Sequence, residues 1–217
     1  MIVPRPYLSR RRFVAGSALT LALPAGMALA AAPPSAAVLR MGGTGSALAV
    51  ARLLVDAFSH EQPGSAPEIV PSLGSGGGIK ALAAGALDVA LSGRLLKDEE
   101  RAKGLAAHPF ARSPLGFTSP AAVAADEVTL AEIVDIYAGR IASWPDGSPL
   151  RLVLRPEGEF DMAVLRRISP AMAAALDSAY ARAGLISAAT DQENLDTLEK
   201  LPGSLGVAIL GQIRAEH

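Results

Sequence analysis

The 217-residue chain contains no cysteine, and it has few aromatic side chains: five Phe, three Tyr and one Trp. The lack of cysteine excludes a thiol nucleophile, a disulfide framework and a lipid anchor attached through cysteine. It is compatible with an oxidising compartment but does not require one. Histidine is also scarce, because only His60, His108 and His217 are present, far apart in the sequence. A histidine-based metal or catalytic cluster therefore has little support.

Catalytic motifs are also missing. The chain has no H-E-x-x-H, no G-x-S-x-G and no G-x-x-x-x-G-K-[ST] sequence, so the commonest zinc, serine-nucleophile and nucleotide sites are not indicated. We interpret Asp191 and Glu193 as acidic residues that favour the first turn of a helix. We therefore expect a protein that is not an enzyme and that uses no cofactor and no metal.

Positive and negative charges nearly balance over the whole chain, which has 20 Lys and Arg residues and 21 Asp and Glu residues. Four arginines and no acidic residue lie in the first 32 positions, so the remainder has 16 basic and 21 acidic groups, a net charge of −5. This balance argues against nucleic acid as a partner. Any anion must then be captured by local groups, not by the field of the whole protein.

The segment 1–32 has the organisation of an export signal. Residues 9–14 (Ser-Arg-Arg-Arg-Phe-Val) resemble a twin-arginine motif, and a weakly apolar run at 14–29 precedes small residues at 30–32. We predict a signal peptide cleaved near residues 30–32, the twin-arginine export machinery as a partner, and a periplasmic mature protein without stable membrane insertion. The alternative is a membrane anchor, but Pro24 and several Gly, Ser and Thr residues make the run a poor permanent span.

Two successive segments share the pattern strand, glycine turn, helix. A strand at 38–41 precedes a glycine and hydroxyl turn at 42–46, and a strand at 68–73 precedes a second turn at 75–78. The next strand, 88–92, ends in Ser-Gly-Arg. Such turns lie at the carboxyl ends of parallel strands, where backbone N–H groups and helix N-termini bind anions. These segments favour a ligand site, although glycine turns of this kind also serve packing alone.

The second half predicts another α/β unit. Capping boxes at Thr129–Glu132 and Thr190–Glu193, and Ser169-Pro170, indicate three helix starts. We interpret the extended, Pro- and Gly-containing segment 110–119 as a crossover between lobes. The expected organisation, after the signal peptide, is lobe one at 38–115, lobe two at 116–210 and a short tail at 211–217.

A family resemblance rests on the same glycine segment. Gly74-Ser-Gly-Gly-Gly-Ile-Lys80, followed by Asp88-Val-Ala-Leu-Ser92, resembles the signature of periplasmic phosphate-binding proteins of ABC transporters, of the type II periplasmic substrate-binding protein superfamily. The resemblance continues at Thr129-Leu130, Gly139-Arg-Ile-Ala-Ser-Trp144 and Arg155. It implies a two-lobed α/β fold of this type, with the second crossover to lobe one missing or shortened, because only seven residues follow Leu210.

The resemblance also implies a function, namely the capture of phosphate or a related oxyanion in an interlobe cleft for ABC transporter permease subunits. Hydroxyls and backbone N–H groups would bind oxygen atoms, and arginine would add charge-assisted hydrogen bonds. The predicted ligand-binding residues are Thr44, Gly45, Ser46, Ser75, Gly76, Gly77, Ser92, Arg94, Arg155 and Gly158.

Two positions depart from the family pattern. Gly93 stands where phosphate binders have an Asp whose carboxylate accepts a hydrogen bond from a protonated anion, and Glu159 stands where they have Ser. We therefore expect weak or altered oxyanion selectivity, with Arg94 adding a cation beside the site. The alternatives within the same fold are a non-transport anion sensor or scaffold, or a truncated relic.

Overall fold

The computed structural model describes residues 2–4, 38–123 and 127–216. These residues form two β-sheets with helices packed around them. The strands are β1 (Ile2–Pro4), β2 (Arg40–Gly43), β3 (Glu68–Ile69), β4 (Val89–Leu91), β5 (Leu105–Ala107), β6 (Leu115–Thr118), β7 (Arg151–Leu154), β8 (Ile186–Ser187) and β9 (Ser204–Ile209). The helices are α1 (Gly45–Glu61), α2 (Gly74–Ala83), α3 (Asp98–Ala102), α4 (Leu130–Ala138), α5 (Phe160–Arg166), α6 (Pro170–Ala181), α7 (Asp191–Lys200) and α8 (Leu210–Glu216).

The two sheets have related topologies. The first has the order β3-β2-β4-β1-β5, in which β3, β2 and β4 are parallel and β1 is antiparallel to both neighbours. The second has the order β6-β9-β7-β8, in which β9, β7 and β8 are parallel and β6 is antiparallel to β9. Two mixed sheets wrapped by helices confirm the predicted two-lobed α/β fold.

Each sheet has its own hydrophobic core. The larger core lies against the second sheet, where Tyr137, Met162, Met172 and Leu176 are fully buried. Smaller clusters lie against the first sheet, around Ile79 in α2 and Leu48 in α1. Helix α1 is buried along its first half, where Leu48 and Ala51 are at most 4% exposed, whereas Phe58 in its second half remains 44% exposed.

The predicted helix starts in the second half are confirmed. The Thr129 hydroxyl accepts a hydrogen bond from the Glu132 N–H, and the Glu132 carboxylate accepts one from the Thr129 N–H, which is the reciprocal capping box. The Ser169 hydroxyl accepts from Met172 N–H, with Pro170 in the first turn. The Thr190 hydroxyl accepts from Glu193 N–H, but the Glu193 carboxylate accepts from Ala189 N–H and so does not complete a box.

The glycine segments differ from their predicted form. Helix α1 begins at Gly45 and α2 begins at Gly74, so Gly45, Ser46 and residues 75–78, which were predicted as turns, are helical, while Gly42 and Gly43 belong to β2. The strand predicted at 68–73 is shorter, because only Glu68 and Ile69 pair with β2. A Cβ atom on Gly78 would lie 2.7 Å from the Gly43 Cα atom, so α2 packs directly on the end of β2. Only glycine permits this contact.

The C-terminal segment is also more ordered than predicted. Residues 210–216 form α8, whereas the sequence predicted a tail at 211–217. Helix α8 packs against α1, and Gly211 N–H donates to the Ser113 hydroxyl at 2.7 Å. The short segment therefore reaches the first lobe, which agrees with the expectation of a shortened crossover.

Strand β1 lies within the segment interpreted as a signal peptide. The sequence placed residues 1–32 outside the fold, but the backbone of residues 2–4 pairs with β4 and β5. The twin-arginine motif and the apolar run at 14–29 lie outside the described residues. Among the helices that the structure describes, none is sufficiently long and apolar to cross a membrane.

Candidate functional site

Two buried hydroxyls lie at the carboxyl end of β2. Gly43 pairs with Leu91, and the next residue, Thr44, donates its N–H to the Leu91 carbonyl at 3.0 Å. The Thr44 and Ser46 hydroxyl oxygens lie 3.2 Å apart, and both residues are at most 5% exposed. Although Thr44 precedes α1, its hydroxyl does not cap the helix and instead donates to Asp191 Oδ2 at 3.2 Å. One buried donor at a helix start, the Thr44 hydroxyl, is therefore directed at an oxygen from the other lobe.

The serine of the glycine-rich segment joins α2 to the end of β4. The Ser75 hydroxyl accepts a hydrogen bond from Gly93 N–H at 3.0 Å, and Ser75 is 5% exposed. Gly76 is not required by packing, because a Cβ atom there would meet no atom within 4 Å. Gly78 is required by packing, as described above. The segment therefore combines a packing role with an open backbone at Gly76 and Gly77, which line a cavity.

The strand-end residues Ser92 and Arg94 are engaged locally. The Ser92 hydroxyl donates to the Arg94 carbonyl at 2.9 Å and accepts from the Arg94 N–H at 3.2 Å. The Arg94 guanidinium forms two hydrogen bonds to the Glu100 carboxylate, at 2.8 and 2.7 Å. This pair raises the pKa of Arg94 and lowers the pKa of Glu100 to about 2. The charge that the sequence assigned to the ligand is thus already paired.

Arg155 follows β7 and is the centre of a buried charge cluster. It is 2% exposed, and its Nη1 donates to the Ala188 carbonyl at 2.7 Å. Its guanidinium nitrogens lie 3.4 Å from Asp161 Oδ2, 3.5 Å from Asp191 Oδ1 and 3.8 Å from Glu159 Oε2. One cation therefore faces three carboxylates, so the cluster has an excess of negative charge when all are ionised.

Two of these carboxyl groups are harder to ionise than usual. Burial raises the pKa of Asp161 and of Glu159, and neighbouring carboxylates add to the effect while Arg155 opposes it. Glu159 also points inward, because its Oε1 would lie 3.4 Å from a Cβ atom on Gly74 at the start of α2. Glu159 thus places a carboxylate beside the glycine segment.

Phe160 lies between two cavities. The first, of about 410 Å³, is lined by Thr44, Ser46, Ser92 and Gly93, among others. The second, of about 480 Å³, is lined by Ser75, Gly76, Gly77, Arg94, Gly158 and Glu159, among others. Phe160 borders both, and a Cβ atom on Gly93 would lie 2.6 Å from the Phe160 ring. The lack of a side chain at position 93 and the large ring at position 160 are therefore sterically coupled.

The starts of α1 and α7 are in close contact. Gln192 Nε2 donates to the Gly45 carbonyl at 3.2 Å. A Cβ atom on Gly45 would lie 2.9 Å from the Asp191 Cβ atom, so the approach requires glycine. Asp191 and Gln192 thus connect the second lobe to the hydroxyl-bearing helix start of the first.

The predicted site residues are divided between two places. Thr44, Gly45 and Ser46 approach Arg155 through Asp191, and Ser92 lines the first cavity with Thr44 and Ser46. The second cavity is lined by Ser75, Gly76, Gly77, Arg94 and Gly158. Sequence reasoning missed Asp161 and Phe160, and it explained Asp191 only as a helix-start charge. Asp191 does occupy the first turn of α7, but it is only 6% exposed. No local signal in the sequence marks this burial, because it results from contact with the other lobe.

The carboxylates do not form a metal site. Within residues 2–4, 38–123 and 127–216, no group of three or more His, Cys, Asp or Glu side chains is arranged to hold a metal ion. Glu159, Asp161 and Asp191 instead each lie within 4 Å of the Arg155 guanidinium.

A family model described as a PBP superfamily domain matches residues 30–212. No curated protein matches the chain. Among solved structures, a protein described as a putative phosphate ABC transporter substrate-binding protein with bound phosphate, from Clostridium perfringens, is 22% identical with a TM-score of 0.66. The match covers 80% of this chain and 70% of that one.

Two further structures are similar in fold. A phosphate-binding protein from Stenotrophomonas maltophilia is 14% identical with a TM-score of 0.53, and the match covers 80% of this chain and 60% of that one. A high-affinity periplasmic phosphate-binding protein, PfluDING, solved with phosphate bound, is 15% identical with a TM-score of 0.54. The match covers 79% of this chain and 56% of that one.

Proposed function

The chain belongs to the PBP superfamily, and on this premise we propose that it is a substrate-binding protein that captures phosphate or a related oxyanion between its two lobes. The protein acts by binding and release. Donors from both lobes would surround the oxyanion, and closure of the lobes would exclude water from it.

One observation supports this proposal above the others. The Asp191 carboxylate is held by the Thr44 hydroxyl from the first lobe and by the Arg155 guanidinium from the second, at 3.2 and 3.5 Å. A carboxylate is itself an oxyanion, with acceptor oxygens that resemble those of phosphate. The described groups therefore have the chemistry and spacing to hold an oxyanion across the cleft.

The similar solved structures suggest the ligand class. The Clostridium perfringens protein and PfluDING were both solved with phosphate bound, and the Clostridium perfringens protein is described as a putative phosphate ABC transporter substrate-binding protein. By analogy, we infer that this chain delivers its ligand to ABC transporter permease subunits. The same analogy, with the arginine-rich start of the sequence, supports export to the periplasm through the twin-arginine route and cleavage near residues 30–32.

Altered selectivity is part of the proposal. An aspartate at position 93 would accept a hydrogen bond from a protonated oxyanion and so reject sulfate, which has no proton to donate, but Gly93 has no side chain and Phe160 lies against it. Glu159 adds a carboxylate where the family pattern has Ser. Discrimination between phosphate and sulfate is therefore expected to be weak.

Isothermal titration calorimetry with phosphate and with sulfate tests the proposal. We expect both anions to bind, with similar affinities. The Thr44→Val variant should bind about tenfold more weakly, since it loses one buried hydrogen bond to the anion. Thr197→Val is the control, because Thr197 is half-buried on α7, away from Thr44, and its hydroxyl bonds to Glu193 of the same helix. Absence of heat with either anion would contradict the proposal, and strong rejection of sulfate would contradict the selectivity claim.

A second candidate function is a non-transport anion sensor or scaffold of the same fold. The observation that favours it is the charge balance of Arg155, whose guanidinium already faces three carboxylates. An Arg that is compensated in this way offers less attraction to a dianion than a free one. If the calorimetric titration shows that the protein binds phosphate and sulfate too weakly for transport, that result would favour this function.

A further inference from the structure

Asp191 occupies the space between the two groups best suited to hold an oxyanion. Its Oδ2 accepts a hydrogen bond from the Thr44 hydroxyl at 3.2 Å, and its Oδ1 lies 3.5 Å from Arg155 Nη2. Thr44 and Arg155 are 1% and 2% exposed, and Asp191 is 6% exposed. One carboxylate therefore satisfies one buried donor from each lobe, with one oxygen on each.

The other two carboxylates near Arg155 do not bridge the lobes in this way. Asp161 lies on the same lobe as Arg155, and its Oδ1 accepts from Met162 N–H at 2.9 Å. Glu159 is more exposed and lies 3.8 Å from Arg155. Asp191 alone among the three joins Arg155 to the Thr44 hydroxyl.

Contacts near Asp191 hold the start of α7 against the start of α1. The Asp191 Cβ atom would lie 2.9 Å from a Cβ on Gly45, and the neighbouring Gln192 donates to the Gly45 carbonyl. The carboxylate thus sits against the start of α1, where the helix dipole and unpaired N–H groups favour negative charge. An external oxyanion would seek the same donors and the same helix start.

We propose that Asp191 is an internal competitor for the oxyanion site, a carboxylate of the chain itself that an incoming oxyanion must displace from Thr44 and Arg155. This inference rests on the proposed function. The inference names the residue that sets the affinity for the oxyanion. Asp191 lowers this affinity in two ways, because it occupies the donors and because it adds a negative charge beside the ligand.

The test compares phosphate binding by the wild-type protein with binding by Asp191→Asn and Asp191→Ala, after extensive dialysis against phosphate-free buffer. The Asn variant keeps the shape and removes the charge, and the Ala variant also removes the bulk. The matched control is Asp196→Asn, which removes a carboxylate from the exposed side of the same helix, where it pairs with Lys200. Circular dichroism checks that each variant is folded.

We expect the Asp191 variants to bind phosphate about tenfold tighter than wild type or more, the size expected when one unfavourable charged contact is removed. The Asp196 variant should match wild type. If the Asn variant proves unstable, the Ala variant gives the same readout.

The outcomes separate this inference from the proposed function. Tighter binding by the variants supports the inference, even if wild type shows no binding, in which case the proposed function of the wild-type chain fails. Wild-type binding that is unchanged or weakened in the variants overturns the inference alone. No binding by any of the proteins overturns both.

Discussion

At the scale of single residues, the Arg94–Glu100 pair shows how a local contact changes the titration of a carboxyl group. Two hydrogen bonds from Arg94 and one from Lys97 N–H stabilise the ionised Glu100 carboxylate. Its pKa falls from the ordinary 4.5 to about 2. A pKa lowered by folding means that the ionised carboxylate stabilises the native state above about pH 4.5 and loses this effect as the pH falls towards 2.

The prediction is that Glu100→Gln lowers the free energy of unfolding at pH 7 by about 1 kcal/mol, the size typical of a partly exposed ion pair. The difference from wild type should shrink as the pH falls from 4.5 towards 2. Urea denaturation at a series of pH values measures it. Glu99→Gln is the control, because Glu99 is exposed on the same helix. A difference that stays constant down to about pH 2 would show that the Glu100 carboxylate is not the cause.

At the scale of secondary-structure elements, β1 provides the backbone hydrogen bonds that join β5 to the first sheet. Within the described residues, β5 pairs only with β1, which lies between β4 and β5. The backbone groups of β5 therefore depend on residues 2–4 for their sheet hydrogen bonds. If the signal peptide is removed as proposed, this strand leaves with it.

Hydrogen exchange measured by mass spectrometry tests this dependence. We expect the amides of residues 105–107 to exchange more slowly in the full chain than in a chain that begins at Pro33, because an unpaired strand exposes its N–H groups to solvent. The amides of β9 are the internal control, since β9 pairs with β6 and β7 in the other sheet. Equal protection of residues 105–107 in both chains would contradict this role of β1.

At the scale of the whole molecule, the two sheets are joined by few polar contacts among the described residues. The bonds from Thr44 to Asp191 and from Gln192 to Gly45 connect α1 with α7, and Gly211 connects α8 with Ser113. The two bonds between α1 and α7 involve groups that a bound oxyanion or a lobe movement would affect directly. The relative position of the lobes is therefore expected to respond to the ligand and to substitutions at Asp191.

The export proposal also concerns the whole molecule. Replacing Arg10 and Arg11 with Lys should leave the precursor in the cytoplasm, because the twin-arginine machinery recognises the arginine pair. Cell fractionation and immunoblotting of a tagged protein measure the distribution. Arg5→Lys, outside the motif, should be exported like wild type. Unchanged export of the double variant would show that the pair has no such role.

The features that could be predicted from the amino-acid sequence alone depend on short-range interactions along the chain. Hydroxyl caps at Thr129, Ser169 and Thr190 bond to the backbone three residues later, so local rules were sufficient to predict these helices. The alternation of strands and helices predicted the two-lobed α/β fold. The glycine and hydroxyl segments were enough to indicate the family and several candidate site residues.

Long-range packing sets how those residues are used. Thr44 and Asp191 are 147 residues apart, and no local pattern specifies that their side chains meet. Packing places Phe160 against Gly93 and three carboxylates around Arg155. Helix caps depend on the backbone within a few residues, whereas the balance of charge in a buried cluster depends on which distant strands and helices the fold brings together.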